Sequence, residues 1–187
     1  MRGADQRGDQ PTDDRGCPLT AREALGLELS GLRADLTRWS QQVGEVAGTH
    51  CQGIGSKAAR CYERLLKTTA DWYVDAVGSS FEELAERTHY TGDAKSIEKL
   101  TLGTIVEFLT ALARVEPRFA ELYQPVEGSA RAITPLRNDI THPSSLEEVA
   151  PNVERLLQLI AEVTGHDEFW TPVIDNLPLE DWRRMQP

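Results

Sequence analysis

Leu102, Ile105, Val106, Leu109, Leu112 and Ala113 fall at i, i+3, i+4, i+7, i+10 and i+11. That period wraps one apolar stripe along an α-helix, whereas a half-buried strand requires strict alternation. The same spacing returns three times. Leu25, Leu29, Leu32, Leu36, Trp39, Val43 and Val46 step by four and three. Ala58, Tyr62, Leu65, Leu66, Tyr73 and Val77 share one side of a second segment, and Leu146, Val149, Val153, Leu156, Leu157, Ile160 and Val163 mark a last one. No stretch alternates with period two between hairpin turns. The expected fold class is therefore all-α: a bundle of four to five helices with short additional helices and a disordered N-terminal arm.

Local signals set the expected boundaries. Thr20-Ala-Arg-Glu23, Ser80-Phe-Glu-Glu83 and Ser145-Leu-Glu-Glu148 read as capping boxes, in which hydroxyl and carboxylate satisfy free amides at a helix start. Long helices are predicted near 20–46, 56–77, 97–115 and 145–164, with a short one from Ser80 to Arg87 and another ending at His142. Gly48, Gly53 and Gly55 are read as a break between the first two. The run GIGSK has neither phosphate-loop spacing nor a preceding strand, so it is read as a loop. HYTGDAKS is a second loop, and residues 117–128 are expected to hold at most a short helical piece around Phe119 and Tyr123. The domain reading is an arm at 1–18, a bundle at 19–165 and a tail at 166–187. Trp170 and Trp182 are expected to fold that tail back onto the bundle.

Charge and composition narrow the function classes. Thirty acids against 20 bases, only four of them Lys, give a net charge of -10, so a general nucleic-acid-coating surface is excluded. Any nucleic-acid contact must come from a local group of Arg. No apolar run is long enough for a membrane span. MRGADQRGDQPTDDRG has no apolar core of a secretory signal and too little apolar content to build a packed one. Cys17, Cys51 and Cys61 are too few and too irregular for a disulfide framework, which points to a reducing, cytoplasmic setting. HCQGIGSKAARC lacks a CxxC pair and a fourth metal ligand, and His166-Asp167-Glu168 are three neighbours in a loop. No metal and no cofactor are therefore expected.

One segment carries candidate chemistry: ITPLRNDITHP, Ile133 to Pro143. On a helix, Ile133, Leu136 and Ile140 share the core side. Asn138 and His142, four apart, stack on the opposite side with Arg137 and Thr141 on the flank. Pro143 disfavours helical geometry at His142 and ends the helix there. Arg137 offers a charged fork suited to a phosphate, and histidine is the side chain most suited to proton transfer near neutral pH. The trio Arg137, Asn138 and His142 points away from its own core, so something else must cover it.

Arg-Asn-x-x-x-His inside an all-helical domain, followed by a further long helix, resembles the HEPN superfamily over roughly residues 20 to 165. The resemblance implies a metal-independent endoribonuclease that cuts RNA through a 2′,3′-cyclic phosphate, in a defence, toxin or stress-response role. It also implies a homodimer whose two motifs form one composite cleft, with an antitoxin or regulatory protein as a further partner class. His142 would transfer protons at the 2′-hydroxyl and the leaving group. Arg137 would stabilise the phosphorane, and Asn138 would orient His142 or bind phosphate. One toxin branch carries a tyrosine two residues after the histidine. Ser144 stands there in this chain, so tyrosine AMPylation is not supported. The alternative is a non-catalytic helical module that uses the same face to dimerise or bind a partner.

Overall fold

The computed structural model describes residues 19–42, 44–175, 177 and 179–185. Among them lie eight α-helices, two single 3-10 turns and no strand: α1 Ala21–Ser40, α2 Glu45–Val77, α3 Phe81–Arg87, α4 Leu102–Val115, α5 Pro117–Thr141, α6 Val149–Thr164, α7 Asp167–Ile174 and α8 Leu179–Arg184. The fold is all-α. The expected arm at 1–18, with Cys17 in it, lies outside the described residues.

The capping boxes at Thr20 and Ser80 form with reciprocal bonds to Glu23 and Glu83. Ser145 differs. Its hydroxyl accepts from the Glu147 amide at 3.2 Å and starts a 3-10 turn, Leu146–Glu148, so α6 begins only at Val149. The helix expected at 97–115 likewise starts late. A 3-10 turn at Ile97–Lys99 precedes Thr101, which caps α4.

Two expectations are corrected. The first concerns α1 and α2. The seam predicted over 20–46 stops at Ser40, and Gly44, at φ 115°, turns the chain into α2. Only glycine enters that backbone region freely. Val46 consequently sits on α2, 68% exposed, and Val43 lies outside the described residues. Gly48, Gly53 and Gly55 are not a loop but lie inside α2, which runs for 33 residues from Glu45. The physical reason is close packing. A Cβ on Gly48 would stand 3.2 Å from Leu146 atoms, and one on Gly55 would stand 2.7 Å from Ile140 Cγ2 and 2.9 Å from Val153 Cγ2. Glycine there lets neighbouring elements approach the α2 backbone, which outweighs its poor helix propensity.

The second correction concerns α5. It is a continuous helix of 25 residues from Pro117 to Thr141, despite Pro125 and Pro135 inside it. Pro117 occupies the first turn, where its missing N–H costs nothing. The two internal prolines each remove a helical bond, but Phe119, Tyr123, Val126, Ala130 and Ile133 are fully buried along the same helix. That stripe packs on α4 and α6, so tertiary burial overrides the local cost.

α2 runs through the middle of the molecule against α1, α4, α5 and α6. Tyr62, Leu65 and Leu66 meet Ile105, Phe108, Leu109, Phe119, Tyr123 and Ile160 in one core. Trp170 and Trp182 are both 1% exposed. The Trp170 indole N–H donates to the Val163 carbonyl at 2.6 Å, and the Arg64 guanidinium lies 4.8 Å from the Trp182 ring centroid. No helix among the described residues is long and apolar enough to cross a membrane.

Candidate functional site: the end of α5

The last two turns of α5 divide as the residue period requires. Ile133 and Ile140 are buried at 0% and 1%, and Leu136 packs against the core at the edge. Arg137, Asn138, Asp139 and His142 are exposed. Helical geometry ends where Pro143 demands it. His142 has φ -128° and ψ 63°, and its amide closes the final bond to the Asn138 carbonyl at 2.8 Å.

The structure joins two of the three side chains directly. Arg137 Nη1 donates to Asn138 Oδ1 at 3.2 Å, and the Thr141 hydroxyl donates to the Arg137 carbonyl at 2.8 Å. Asn138 therefore steadies Arg137, while its link to His142 runs through the backbone. Among the described residues no hydrogen bond engages the His142 imidazole, and Arg137 makes no ion pair. Several other arginines do: Arg22 with Asp167 and Asp175, Arg64 with Glu28, Arg87 with Glu116. An arginine steadied by a neutral amide, beside a solvent-facing imidazole, leaves its charge available to an external anion.

The other histidines stand apart from this surface. His50 lies on α2, and its ring stacks on Trp39 with centroids 3.7 Å apart and planes 11° from parallel. His89 is exposed just beyond α3 at φ 54°, and His166 is exposed at the start of α7. Cys51 and Cys61 are buried free thiols. The Cys61 thiol donates to the Glu28 carboxylate at 2.9 Å. Burial, then that hydrogen bond and charge, push it up to about 12 against the opposing pull of Arg64 and Arg60. Among the described residues no group of three or more His, Cys, Asp or Glu side chains is placed to hold a metal ion. A groove of 830 Å3 runs between α1 and α6 past Arg33, Leu36, Pro151 and Leu157, and no residue of the trio lines it.

Sequence reasoning did not find the residues that hold this helix end. Gln52 Nε2 donates to the Ile140 carbonyl at 3.2 Å, and Gly55 makes room for the Ile140 side chain. A signal for Gly55 exists in the sequence. Gly48, Cys51, Gly55, Ala58 and Ala59 form a row of small residues at helical spacing, the pattern of a close helix contact. Compared with family models, curated proteins and solved structures, the chain matches none of them.

Proposed function

We propose that the chain is a metal-independent endoribonuclease of the HEPN type, acting as a homodimer on RNA in the cytoplasm, in a defence, toxin or stress-response setting. The observation that carries this reading is the outward display of Arg137, Asn138 and His142 on the last turns of α5, with Arg137 held by Asn138 at 3.2 Å and committed to no carboxylate. In the reaction the 2′-oxygen of a ribose bonds to the adjacent phosphorus while the bond to the 5′-oxygen breaks. A proton leaves the 2′-hydroxyl and another reaches the 5′-oxygen. His142 carries that proton traffic, and the Arg137 fork meets the extra negative charge on the pentacoordinate phosphorus. The acidic chain fits a reaction confined to one Arg-bearing surface rather than spread over a basic groove. An antitoxin or regulatory protein that covered the same exposed trio would silence it.

Purified protein incubated with RNA in the presence of EDTA tests the reading directly. The expected products end in 2′,3′-cyclic phosphate, and His142→Ala yields them at least about a hundredfold more slowly. RNA left intact by a folded parent protein would sink the enzyme reading and leave the surface as a binding module.

A further inference from the structure

A single turn of α2 grips Ile140 in two ways. The C-terminal carbonyls of a helix lack donors within it, and Pro143 worsens the shortage at the end of α5. The Asn138 carbonyl receives the His142 amide at 2.8 Å. The next carbonyl, on Asp139, would look to residue 143, which is proline and has no N–H. The one after, on Ile140, receives Gln52 Nε2 at 3.2 Å from a half-buried side chain 88 positions earlier in the chain. A carbonyl oxygen only accepts, so the Gln52 amide must present its nitrogen. Three residues along α2 from Gln52, Gly55 is bare. The Ile140 side chain fills the space there, with Cγ2 2.7 Å from where a Cβ would stand and Val153 closing the other side. Ile140 is thus held by its carbonyl and by its side chain, both against α2. Asn138 and His142 lie two residues to either side of it.

We propose that the Gln52–Gly55 turn of α2 positions the trio, with Gln52 holding the last turn of α5, which Pro143 ends, against α2 and so setting where the His142 imidazole stands relative to Arg137. Its effect on cleavage rests on the ribonuclease reading above; its hold on the helix end does not. An exposed last turn ending in proline frays when its carbonyls are left to solvent, and Gln52 ties that turn to the central helix. The Gln52 amide bonds the Ile140 backbone carbonyl and carries no charge of its own. Its loss therefore acts on the orientation of the reacting groups rather than on the charge they carry.

The test compares the full chain with Gln52→Glu and Gln52→Met. Glutamate keeps the size, loses the donor and sets oxygen against oxygen; methionine keeps the volume without either. Both are expected to stay folded, with melting temperatures near the parent's. The His142 amide should exchange about tenfold faster, the opening of a local helix end. The imidazole resonances of His142 should shift in the NMR spectrum. In RNA cleavage kcat should fall about tenfold with KM nearly unchanged, the mark of misplacement rather than weaker binding. Parental exchange and parental imidazole resonances in both variants would overturn the proposal, whatever happens to RNA. Faster exchange with undiminished kcat in an active enzyme would overturn the positioning role. If the parent itself leaves RNA intact while the His142 amide and ring respond, the hold on α5 stands and the ribonuclease reading alone falls.

Discussion

Under the proposed function Arg137 is the charge that meets the phosphorane, so its replacement by alanine should lower cleavage by about 10²–10³-fold, as when a transition-state donor is deleted. Arg137→Lys should recover little, because an ammonium lacks the planar fork. His142→Ala should cost about 10²–10⁴-fold, the range of lost general acid–base catalysis. Asn138→Ala should be milder, since its amide steadies Arg137 at 3.2 Å rather than exchanging a proton itself. All these side chains are exposed, so the variants should keep their stability within about 0.5 kcal/mol by thermal melting. Cys61 gives an independent check at the same scale. Its thiol is raised to about 12 in the fold from an ordinary value of 9.0. The stabilisation linked to a raised acid is complete below the unfolded value and is lost as pH rises through the folded one. The urea midpoint should therefore fall between about pH 9 and pH 12, and iodoacetamide at about pH 8 should label Cys61 only after denaturation. Rapid labelling of Cys61 itself in the native protein would contradict that burial.

At the scale of whole helices, the two glycines of α2 that differ most in surroundings make a paired prediction. Gly53 is exposed, with nothing within 4 Å of where an added methyl would stand, so Gly53→Ala should stabilise by about 0.8–1.0 kcal/mol through helix propensity. Gly55→Ala gains the same propensity but drives a methyl into Ile140 and Val153, whose Cγ2 atoms sit on branched, stiff side chains. Overpacking of about 1–3 kcal/mol should outweigh the gain, and thermal melting should separate the two variants in sign. A stabilised Gly55→Ala would show that the α2–α5–α6 contact is looser than described. The pair also explains why the four apolar stripes were legible in the sequence while the extent of α2 and α5 was not. Leu25 to Trp39, Leu102 to Ala113 and Val149 to Val163 announce their period directly. Gly48, Gly55, Pro125 and Pro135 carry local signals for a break; close packing on Leu146, Ile140 and Val153 reverses it at the two glycines, and burial of the Phe119 to Ile133 stripe outweighs it at the two exposed prolines. The trio's outward direction followed from Ile133, Leu136 and Ile140 on the opposite side of α5. The hold of Gln52 on Ile140 joins residues 88 apart, so no local pattern could announce it.

At the scale of the whole molecule, the proposed chemistry asks for more than one chain carries. In-line displacement places the attacking 2′-oxygen and the departing 5′-oxygen on opposite sides of phosphorus, and a proton must move at each. One chain offers a single imidazole at the trio, since His50 is stacked on Trp39 and His89 and His166 lie beyond α3 and before α7. A second copy related by a two-fold axis would bring a second His142 and a second Arg137 to the other side of the phosphate. It would also cover a surface that its own core leaves exposed. The expected active form is therefore an isologous dimer, and the activity per chain should fall as the protein is diluted through its dissociation range. Sedimentation at the same concentrations supplies the check. The fraction sedimenting as dimer and the specific cleavage rate should decline together. Cleavage that stays constant per chain while sedimentation reports only monomer would mean that one copy performs both proton transfers, and the composite cleft would have to be abandoned.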